Sequence, residues 1–377
     1  MQKIRFGVSI SLSGRYSIQG KESFEGLCLW VRDVNESGGI FVKEHGKKLP
    51  VELVYYDDES SIDKCQRIVE RLIVDDKVDV LIGPYSSGHT LAAAPIAERY
   101  KKILWNHGGS SDEIFGKGFT YVVSTITPAS RYSIGIIGMV RGLDKEAKRI
   151  SIFQAEDSGF SASVVEGAKR YGEERGFQVI GFKYPSGTKD FSFLLKRVKE
   201  NNPDIILGIG RADDDLILAR QIIENKVNAK AIGLVVAGIK EFRETLGKDT
   251  EGFLGSSQWE KGIRIKPDFG LSPQEFFERF KNTYNKEPDY TAAQSYNIGI
   301  VIERCIEESG TLNDLSLRET AKRIEFKTLY GDFKIDPITG NQIGHKTVVV
   351  QWQGGNKYIV YPKEIAERDP IYPKAQR

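Results

Sequence analysis

The stretch of this sequence with the clearest chemistry runs from Ile82 to Pro95 and reads IGPYSSGHTLAAAP. An apolar strand pattern ends at a Gly-Pro turn, two hydroxyl residues follow, and an alanine-rich helix pattern begins. The first N–H groups of a helix lack internal partners and carry partial positive charge, so an anion can bind there. Ser86 and Ser87, with Tyr85 beside them, stand where a carboxylate would reach that backbone. Simple capping of the helix by a serine is the alternative interpretation, and the segment alone leaves both open.

Length and composition narrow the class of protein. A chain of 377 residues is too long for one ordinary core and predicts two lobes. Lys and Arg total 54 and Asp and Glu 52, so the formal net charge of +2 argues against binding to nucleic acid or to an anionic membrane. The apolar fraction of 40% is typical of a globular protein. Three cysteines, Cys28, Cys65 and Cys305, show no metal-ligand or disulfide spacing.

The first residues of the chain carry no pattern of a secretory signal peptide. A strand pattern begins within three residues of Met1, without a charged segment, an apolar core and a cleavage site. Two interpretations follow: either the protein is cytoplasmic, or the sequence is a mature form with a replacement methionine.

Short runs rich in Ile and Val alternate with amphipathic helix patterns over most of the chain. This alternation is typical of parallel βαβ units and predicts an α/β fold. A first round, from Ile4 to Ser124, is followed by a second round of the same layout from Arg149 to Val236. We therefore expect two similar Rossmann-like lobes with parallel-type sheets, and a ligand cleft between the lobes beyond the carboxyl ends of their strands. The predicted elements include helices at 23–36, 90–100 and 130–143 and a late strand at 333–335.

The remaining segments predict how the chain is divided between the lobes. At Phe253 to Ser257 the chain is expected to return to the first lobe, so that the helix patterns at 272–284 and 291–308 can belong to that lobe. The predicted N-terminal lobe comprises residues 1–124 and 258–330, and the predicted C-terminal lobe comprises residues 125–257 and 331–361. The Pro-rich and charged residues 362–377 are expected to form a tail that lies on the surface or frays.

Five motifs occur in one order along the chain: IRFGVSISLSGRYSIQGKESFEG, NESGGI, YYDDESS, VDVLIGPYSSGHTLAAAP and YGDFKIDPITGNQ. Together they resemble extracytoplasmic solute-binding proteins of the leucine/isoleucine/valine-binding type, and the resemblance covers nearly the whole chain. It implies a type I periplasmic binding fold, with two α/β lobes joined by three crossovers. It also implies that the lobes hinge shut on a small solute, which is then passed to an ABC permease in the membrane.

The resemblance also implies which residues of the first lobe hold the solute. Its serine at the strand-to-helix turn matches Ser87, and the small residue and hydroxyl residue after the next strand match Gly109 and Ser110. These groups should bind a carboxylate, because hydrogen bonds to an ionised oxygen are short and strong. Trp105 and Asn106, next to His107, should line the same cleft. The alternatives are a plain loop at residues 108–111 and a core position for the tryptophan.

The other half of the expected site departs from the family pattern. Relatives carry an acidic residue that holds a solute ammonium group, but the matching segment here, Gly233 to Val236, has no carboxylate. Ser158 and Gln19 stand where relatives often carry an aromatic residue, and Arg211 falls at or beside a tyrosine position. Losing an anion and gaining a guanidinium favours a second anionic or strongly polar group on the solute. We therefore expect that the solute need not be a branched-chain amino acid.

Two acidic segments leave alternatives open. Arg211 could instead form a surface salt bridge with one of the three residues Asp213 to Asp215. The acidic run Asp57 to Glu59 could bind a cation through oxygen ligands, although a turn that caps the following helix is the expected structure.

The sequence favours a binding protein over an enzyme. The third glycine of a dinucleotide-binding fingerprint would fall on Asp213, no phosphate-binding loop motif occurs, and the segment Gly159 to Ser163 lacks the final glycine of a nucleophile elbow. Four histidines show no metal spacing, so neither a metal nor a cofactor is predicted. A transport receptor outside the cytoplasm is the first interpretation, and a cytoplasmic ligand-sensing regulator of the amide-sensor kind, on the same fold, is the second.

Overall fold

The computed structural model describes residues 2–375 and divides them into two compact units. The first unit contains the described residues up to Pro128 together with Ile263–Lys346. The second unit contains Ala129–Gly262 and the described residues from Thr347 onward. The chain therefore passes between the units three times, after residues 128, 262 and 346.

The chain up to Pro128 alternates between strands and helices. Its strands are β1 (Ile4–Ile10), β2 (Ile40–Val42), β3 (Lys47–Leu49), β4 (Val51–Asp57), β5 (Val80–Ile82), β6 (Leu104–Asn106) and β7 (Val122–Ser124). Its helices are α1 (Ser17–Glu36), α2 (Ile62–Val74), α3 (Ser87–Arg99) and the short α4 (Asp112–Gly116).

The next segment, from Ala129 to Gly262, repeats this alternation. Its helices are α5 (Ile134–Leu143), α6 (Gly159–Glu173), α7 (Ser192–Asn201), α8 (Ala212–Glu224) and α9 (Lys240–Leu246). Its strands are β8 (Arg149–Ala155), β9 (Gln178–Tyr184), β10 (Ile205–Ile209), β11 (Ala231–Leu234) and β12 (Leu254–Ser257). The last segment adds α10 (Pro273–Tyr284), α11 (Tyr290–Ser309), α12 (Asp314–Arg323), β13 (Phe326–Thr328), β14 (Gly331–Phe333), β15 (Val348–Gln353) and β16 (Asn356–Tyr361).

The main sheet of the first unit has the strand order β4-β1-β5-β6-β7, and all of its neighbouring strands are parallel. Strands covered on both faces read as nearly continuous apolar runs, and β1 is buried along almost its whole length. The carboxyl ends of parallel strands meet at one edge of a sheet. The turns that follow β1, β4, β5 and β6 therefore lie side by side.

The sheet of the second unit has the order β16-β15-β12-β11-β10-β8-β9. Strands β8 to β12 are parallel, whereas β15 and β16 add an antiparallel hairpin at one edge. Buried apolar side chains among the described residues form the core of this unit; one cluster includes Phe153, Phe191 and Leu218, and another includes Ile137, Ile152 and Val164. The predicted α/β fold with parallel-dominated sheets is thus confirmed.

Two helices begin earlier than the apolar pattern predicts. Helix α1 begins at Ser17 instead of residue 23, and α3 begins at Ser87 instead of residue 90. The first turn of α1 contains Gly20, where a Cβ atom would lie only 1.9 Å from the carbonyl oxygen of Ser11. A glycine is a poor helix former, but here it allows the helix to pack onto the loop after β1.

Late parts of the chain group differently from the predicted division. The strand expected at 333–335 is instead β14, which pairs with β13 in a small hairpin of the first unit. Residues 331–346, predicted for the C-terminal lobe, group with the first unit, where the N–H of Ser124 donates to the carbonyl of Gly340 at 2.9 Å. The expected tail is held by hydrogen bonds of the second unit, including one of 2.8 Å from the Tyr372 hydroxyl to Asp144.

Candidate functional site

The amino end of α3 is built by the turn that follows β5. Ser86 is the N-cap of the helix and has a left-handed φ of 82°, and its hydroxyl oxygen accepts a hydrogen bond of 3.3 Å from the backbone N–H of His89. One of the two serines therefore caps the helix, as the simpler interpretation expects. Ser87 is the first helical residue, so its side chain and the N–H groups of the first turn lie at the positive end of a helix of 13 residues.

The loop after β6 packs directly against this turn. Two glycines make the close approach possible, because a Cβ atom on Gly108 would lie 2.5 Å from the carbonyl oxygen of Pro84, and one on Gly109 would lie 2.4 Å from the Thr90 hydroxyl. The buried amide of Asn106 shapes the loop: its Oδ1 accepts the N–H of Gly109 at 2.8 Å, and its Nδ2 donates to the carbonyl of the same residue at 2.6 Å. Asn106 therefore holds the loop and is enclosed by it.

Ser87 joins the two turns. Its Oγ accepts hydrogen bonds from the backbone N–H groups of Ser110, at 3.2 Å, and Ser111, at 3.0 Å. A hydroxyl group has two acceptor lone pairs and one hydrogen, so these two bonds leave the Ser87 hydrogen able to donate. The structure thus brings Ser87, Gly109 and Ser110 together at one edge of the sheet.

Aromatic side chains lie beside the start of α3. The Tyr16 ring makes edge contacts with the rings of Tyr85, at a centroid distance of 5.9 Å, and His89, at 5.6 Å. The Tyr85 hydroxyl lies 3.1 Å from the hydroxyl of Tyr290, the first residue of α11. The guanidinium of Arg15 lies 5.0 Å from the centre of the Tyr16 ring. Aromatic rings are therefore available for contacts with a ligand beside the amino end of α3.

Two other predicted residues of the first unit have different settings. Gln19 lies in the first turn of α1 and is partly exposed. The Trp105 side chain, in β6 between β5 and β7, is fully buried at 0% exposure, which corresponds to the core alternative. His107 is also buried, and burial lowers its pKa to about 4. Trp105 and His107 therefore lie in the interior, beneath the turns that follow β5 and β6.

The acidic run after β4 fixes loops. Asp57 accepts hydrogen bonds from the backbone N–H groups of Leu12 and Glu59, and the buried Asp58 accepts bonds from the hydroxyls of Ser9, at 3.0 Å, and Ser11, at 2.6 Å. Among residues 2–375, no group of His, Cys, Asp and Glu side chains is arranged to hold a metal ion. The carboxylates of this run connect β4 to the loop after β1.

In the second unit, Ser158 and Arg211 precede α6 and α8, the helices that follow the neighbouring strands β8 and β10. The Ser158 hydroxyl caps α6 by accepting the N–H of Ser161 at 3.2 Å. Arg211 precedes α8, and its guanidinium lies 3.3 Å from a carboxylate oxygen of Asp157. The alternative partners Asp213 to Asp215 are not the ones that Arg211 uses. Both groups of this ion pair are partly exposed to solvent.

The segment Gly233 to Val236 contains only glycine and apolar residues, so its polar groups are those of the backbone. Behind it lies Asp215, which is fully buried and whose Oδ2 accepts the N–H of Val236 at 3.4 Å. Burial raises the pKa of Asp215 to about 7, although backbone N–H groups oppose that rise. Asp215 therefore connects the turn after β10 to the turn after β11.

Sequence reasoning missed several of these groups. Tyr290 comes from a helix about 200 residues away from Tyr85 along the chain, and no local pattern announces it. Tyr16 lies in a loop of polar residues. Asp58 lies in the acidic run that the sequence predicts to form a turn, but its hydrogen bonds to the hydroxyls of Ser9 and Ser11 follow from no local pattern.

These observations define an α/β binding protein of two sheet-based units, with a polar strand-to-helix edge in the first. The sequence model of the family described as "Periplasmic binding protein" matches residues 3–357. The chain belongs to this family, and its curated relatives include Leu/Ile/Val-binding protein homologues. Such proteins are solute-binding transport proteins and not enzymes. The family implies a location outside the cytoplasm, and no helix within residues 2–375 is long and apolar enough to cross a membrane.

Similar proteins cover nearly the whole chain. The Leu/Ile/Val-binding protein homolog 8 of Brucella abortus (strain 2308) is 25% identical over 382 residues, which cover 96% of this chain and 91% of that protein. The leucine-binding protein LivK of Thermotoga maritima has a TM-score of 0.81 at 24% identity, covering 94% and 97% of the two chains. A solute-binding protein of R. palustris, solved in complex with benzoate, has a TM-score of 0.78 at 18% identity, covering 100% and 98%.

Proposed function

We propose that this protein is the solute receptor of an ABC importer and that it binds a small solute through a carboxylate group at the amino end of α3. The observation that carries the proposal is the junction at Ser87, whose oxygen is held by the N–H groups of Ser110 and Ser111 while its hydrogen can still donate. A preorganised hydroxyl next to a helix N-terminus favours an anion. The family membership supports the transport role and implies a permease as the partner.

The solute class extends to acids that lack an ammonium group. The segment Gly233 to Val236 has no carboxylate to pair with an ammonium, and the nearby Asp215 is buried with its side chain turned to backbone N–H groups. Arg211 adds a cation at the start of α8 instead. One structural neighbour was solved with benzoate, and another is a leucine-binding protein, so acids with and without an amino group both fit this fold.

Calorimetric titration of the purified protein with leucine, benzoate and succinate tests this proposal. We expect saturable binding of at least one of these carboxylates, and loss of most of that affinity in Ser87→Ala. Ser272→Ala is the control, because Ser272 is a serine at the amino end of another helix of the first unit, as the N-cap of α10. Binding that is equally strong in Ser87→Ala would refute the assignment of the carboxylate to this junction.

A further inference from the structure

His89 is a buried histidine whose two ring nitrogens face different groups. Its Nδ1 lies 2.9 Å from the hydroxyl oxygen of Ser86, the N-cap of α3. Its Nε2 lies 4.0 Å from Oδ1 of Asp58, which is too long for a hydrogen bond, and Nε2 has no hydrogen-bond partner among the described residues. The exposed fractions are only 2% for His89 and 0% for Asp58.

Asp58 is held firmly on the far side of the imidazole. Its carboxylate accepts hydrogen bonds from the Ser9 and Ser11 hydroxyls and, at 2.9 Å, from the backbone N–H of Ser60. These donors fix the carboxylate against β1, the loop after it and the turn after β4. Asp58, His89 and Ser86 therefore form a row that runs from the end of β4 to the cap of α3.

Other groups from neighbouring segments lie near the imidazole of His89. Within residues 2–375, the charge of Arg15, in the loop after β1, also acts on it, and the Tyr16 ring makes an edge contact with it. From α2, the Cys65 thiol approaches the His89 carbonyl rather than the ring. Burial lowers the pKa of His89, Asp58 opposes that effect, and Arg15 adds to it. Without an added anion, neutral imidazole is therefore the favoured form at neutral pH.

The neutral ring cannot satisfy both of its neighbours. If the hydrogen is on Nε2, Nδ1 must accept the Ser86 hydrogen, so that the hydroxyl has no hydrogen left for a solute. If the hydrogen is on Nδ1, the Nε2 lone pair faces the Asp58 carboxylate, and two hydrogen-bond acceptors repel each other. In the doubly protonated ring, Nδ1 donates to Ser86 Oγ, Nε2–H points toward Asp58, and the Ser86 hydrogen becomes free to donate.

We propose that His89 is a positioning residue that takes up one proton from solvent when a carboxylate binds at Ser86 and Ser87, and that this proton makes Ser86 a hydrogen-bond donor to the solute. The inference rests on the function proposed above. The bound anion compensates the charge that the buried imidazole gains. Solute and proton thus bind together.

The sign of the pH dependence follows from this coupling. The bound carboxylate raises the pKa of His89 above its value in the free protein, which burial holds below the usual value. Affinity is therefore highest below the free-protein pKa, falls by up to about tenfold per pH unit between the two pKa values, and is constant above the higher one. Benzoate suits this test if the titrations stay above about pH 5.5, where a carboxylic acid is ionised.

The test is calorimetric titration with benzoate, and with leucine as a second probe, between about pH 5.5 and about pH 8. Each titration is repeated in two buffers of different ionisation enthalpy, because the difference in apparent heat counts the protons taken up. We expect uptake that approaches one proton per bound solute inside the window. His89→Gln and Ser86→Ala should both abolish the uptake and flatten the pH dependence, whereas His45→Gln, a change at an exposed histidine, should leave both unchanged.

The possible outcomes separate this inference from the proposed function. Binding without proton uptake at any pH of the series would overturn the inference and leave the solute receptor standing. Undiminished uptake in Ser86→Ala would also overturn it, and this variant decides the matter if His89→Gln does not fold. Failure of every carboxylate to bind would overturn both proposals.

Discussion

The hydroxyl oxygen of Ser87 accepts a hydrogen bond of 3.0 Å from the backbone N–H of Ser111. This bond joins the first residue of α3 to the loop after β6, two segments that are separated along the chain but follow neighbouring parallel strands. It directs the lone pairs of the hydroxyl toward the protein, so that the hydrogen is the part that a ligand can use.

Replacing Ser87 by alanine should weaken carboxylate binding strongly. The change removes a charge-assisted hydrogen bond, worth about 2 kcal/mol, and leaves two loop N–H groups without their acceptor. This loss corresponds to a roughly 30-fold higher Kd. Titration calorimetry measures the difference, and Ser272→Ala is expected to retain the wild-type Kd. A Kd within twofold of the wild type would contradict the prediction.

Replacing Gly108 by alanine should disturb the packing of the two turns. The new Cβ atom would lie 2.5 Å from a backbone oxygen of Pro84 and 2.7 Å from the Cα atom of Tyr85, so the loops must move apart. We expect a lower melting temperature and weaker solute binding. Gly142→Ala is the matched control: it lies in α5 with open space around it, and alanine there should raise stability slightly. Equal melting temperatures for the two variants would contradict this account.

Asp215 should make the stability of the protein depend on pH. Its folded-state pKa of about 7 lies above that of an unfolded aspartate, about 3.9, so the folded state binds more protons between these values. The contribution of this group to stability is greatest below the lower value and is lost as the pH rises through about 7. Asp215→Asn should reduce the fall in melting temperature between about pH 5 and about pH 8.

An exposed neighbour provides the control for this experiment. Asp213 lies in the same turn of α8 but faces solvent, so Asp213→Asn should keep the wild-type pH dependence. The same slope in Asp215→Asn and the wild type would show that Asp215 does not titrate as described.

The solute panel should favour acids over leucine. Leucine binding requires a partner for its ammonium group, and Gly233 to Val236 provide no carboxylate. We expect benzoate or succinate to bind more tightly than leucine in competition titrations. Arg211→Gln should weaken succinate binding more than benzoate binding, because only the dicarboxylate offers a second charge. Tight leucine binding with no binding of either acid would contradict this prediction.

A saturating solute should also compact the protein in solution. The family resemblance implies that the two lobes close on the solute, and a ligand shifts such an equilibrium only through contacts that differ between the states. Small-angle X-ray scattering should show a smaller radius of gyration with the bound acid than without it. An unchanged radius at saturation would count against closure.

The fold was largely predictable because its strands are buried on both faces. Ile4–Ile10 and Ile205–Ile209 read as apolar runs, and the helices between them show an apolar face. Prediction failed where tertiary contacts override the local pattern. The first turn of α1 contains Gly20, and the β13–β14 hairpin depends on its pairing and not on an apolar run.

The candidate site was predictable only in part. The proximity of Ser87 and Ser110 follows from parallel strand order, since both residues come after neighbouring strands. The pairing of Arg211 with Asp157 has the same origin, because these residues follow the neighbouring parallel strands β10 and β8. The approach of Tyr290 to Tyr85 does not follow, because Tyr290 begins a helix about 200 residues further along the chain. Which of two adjacent serines becomes the N-cap was equally undetermined, because the backbone geometry at Ser86 decides it.

The assignment of the carboxylate to Ser87 is tested by a crystal structure of the protein with the tightest-binding acid of the panel. This assignment places a carboxylate oxygen of the solute within about 2.5 to 3.0 Å of Ser87 Oγ, at the amino end of α3. A well-defined solute whose acid group lies elsewhere, with no contact to Ser86, Ser87 or Ser110, would contradict it.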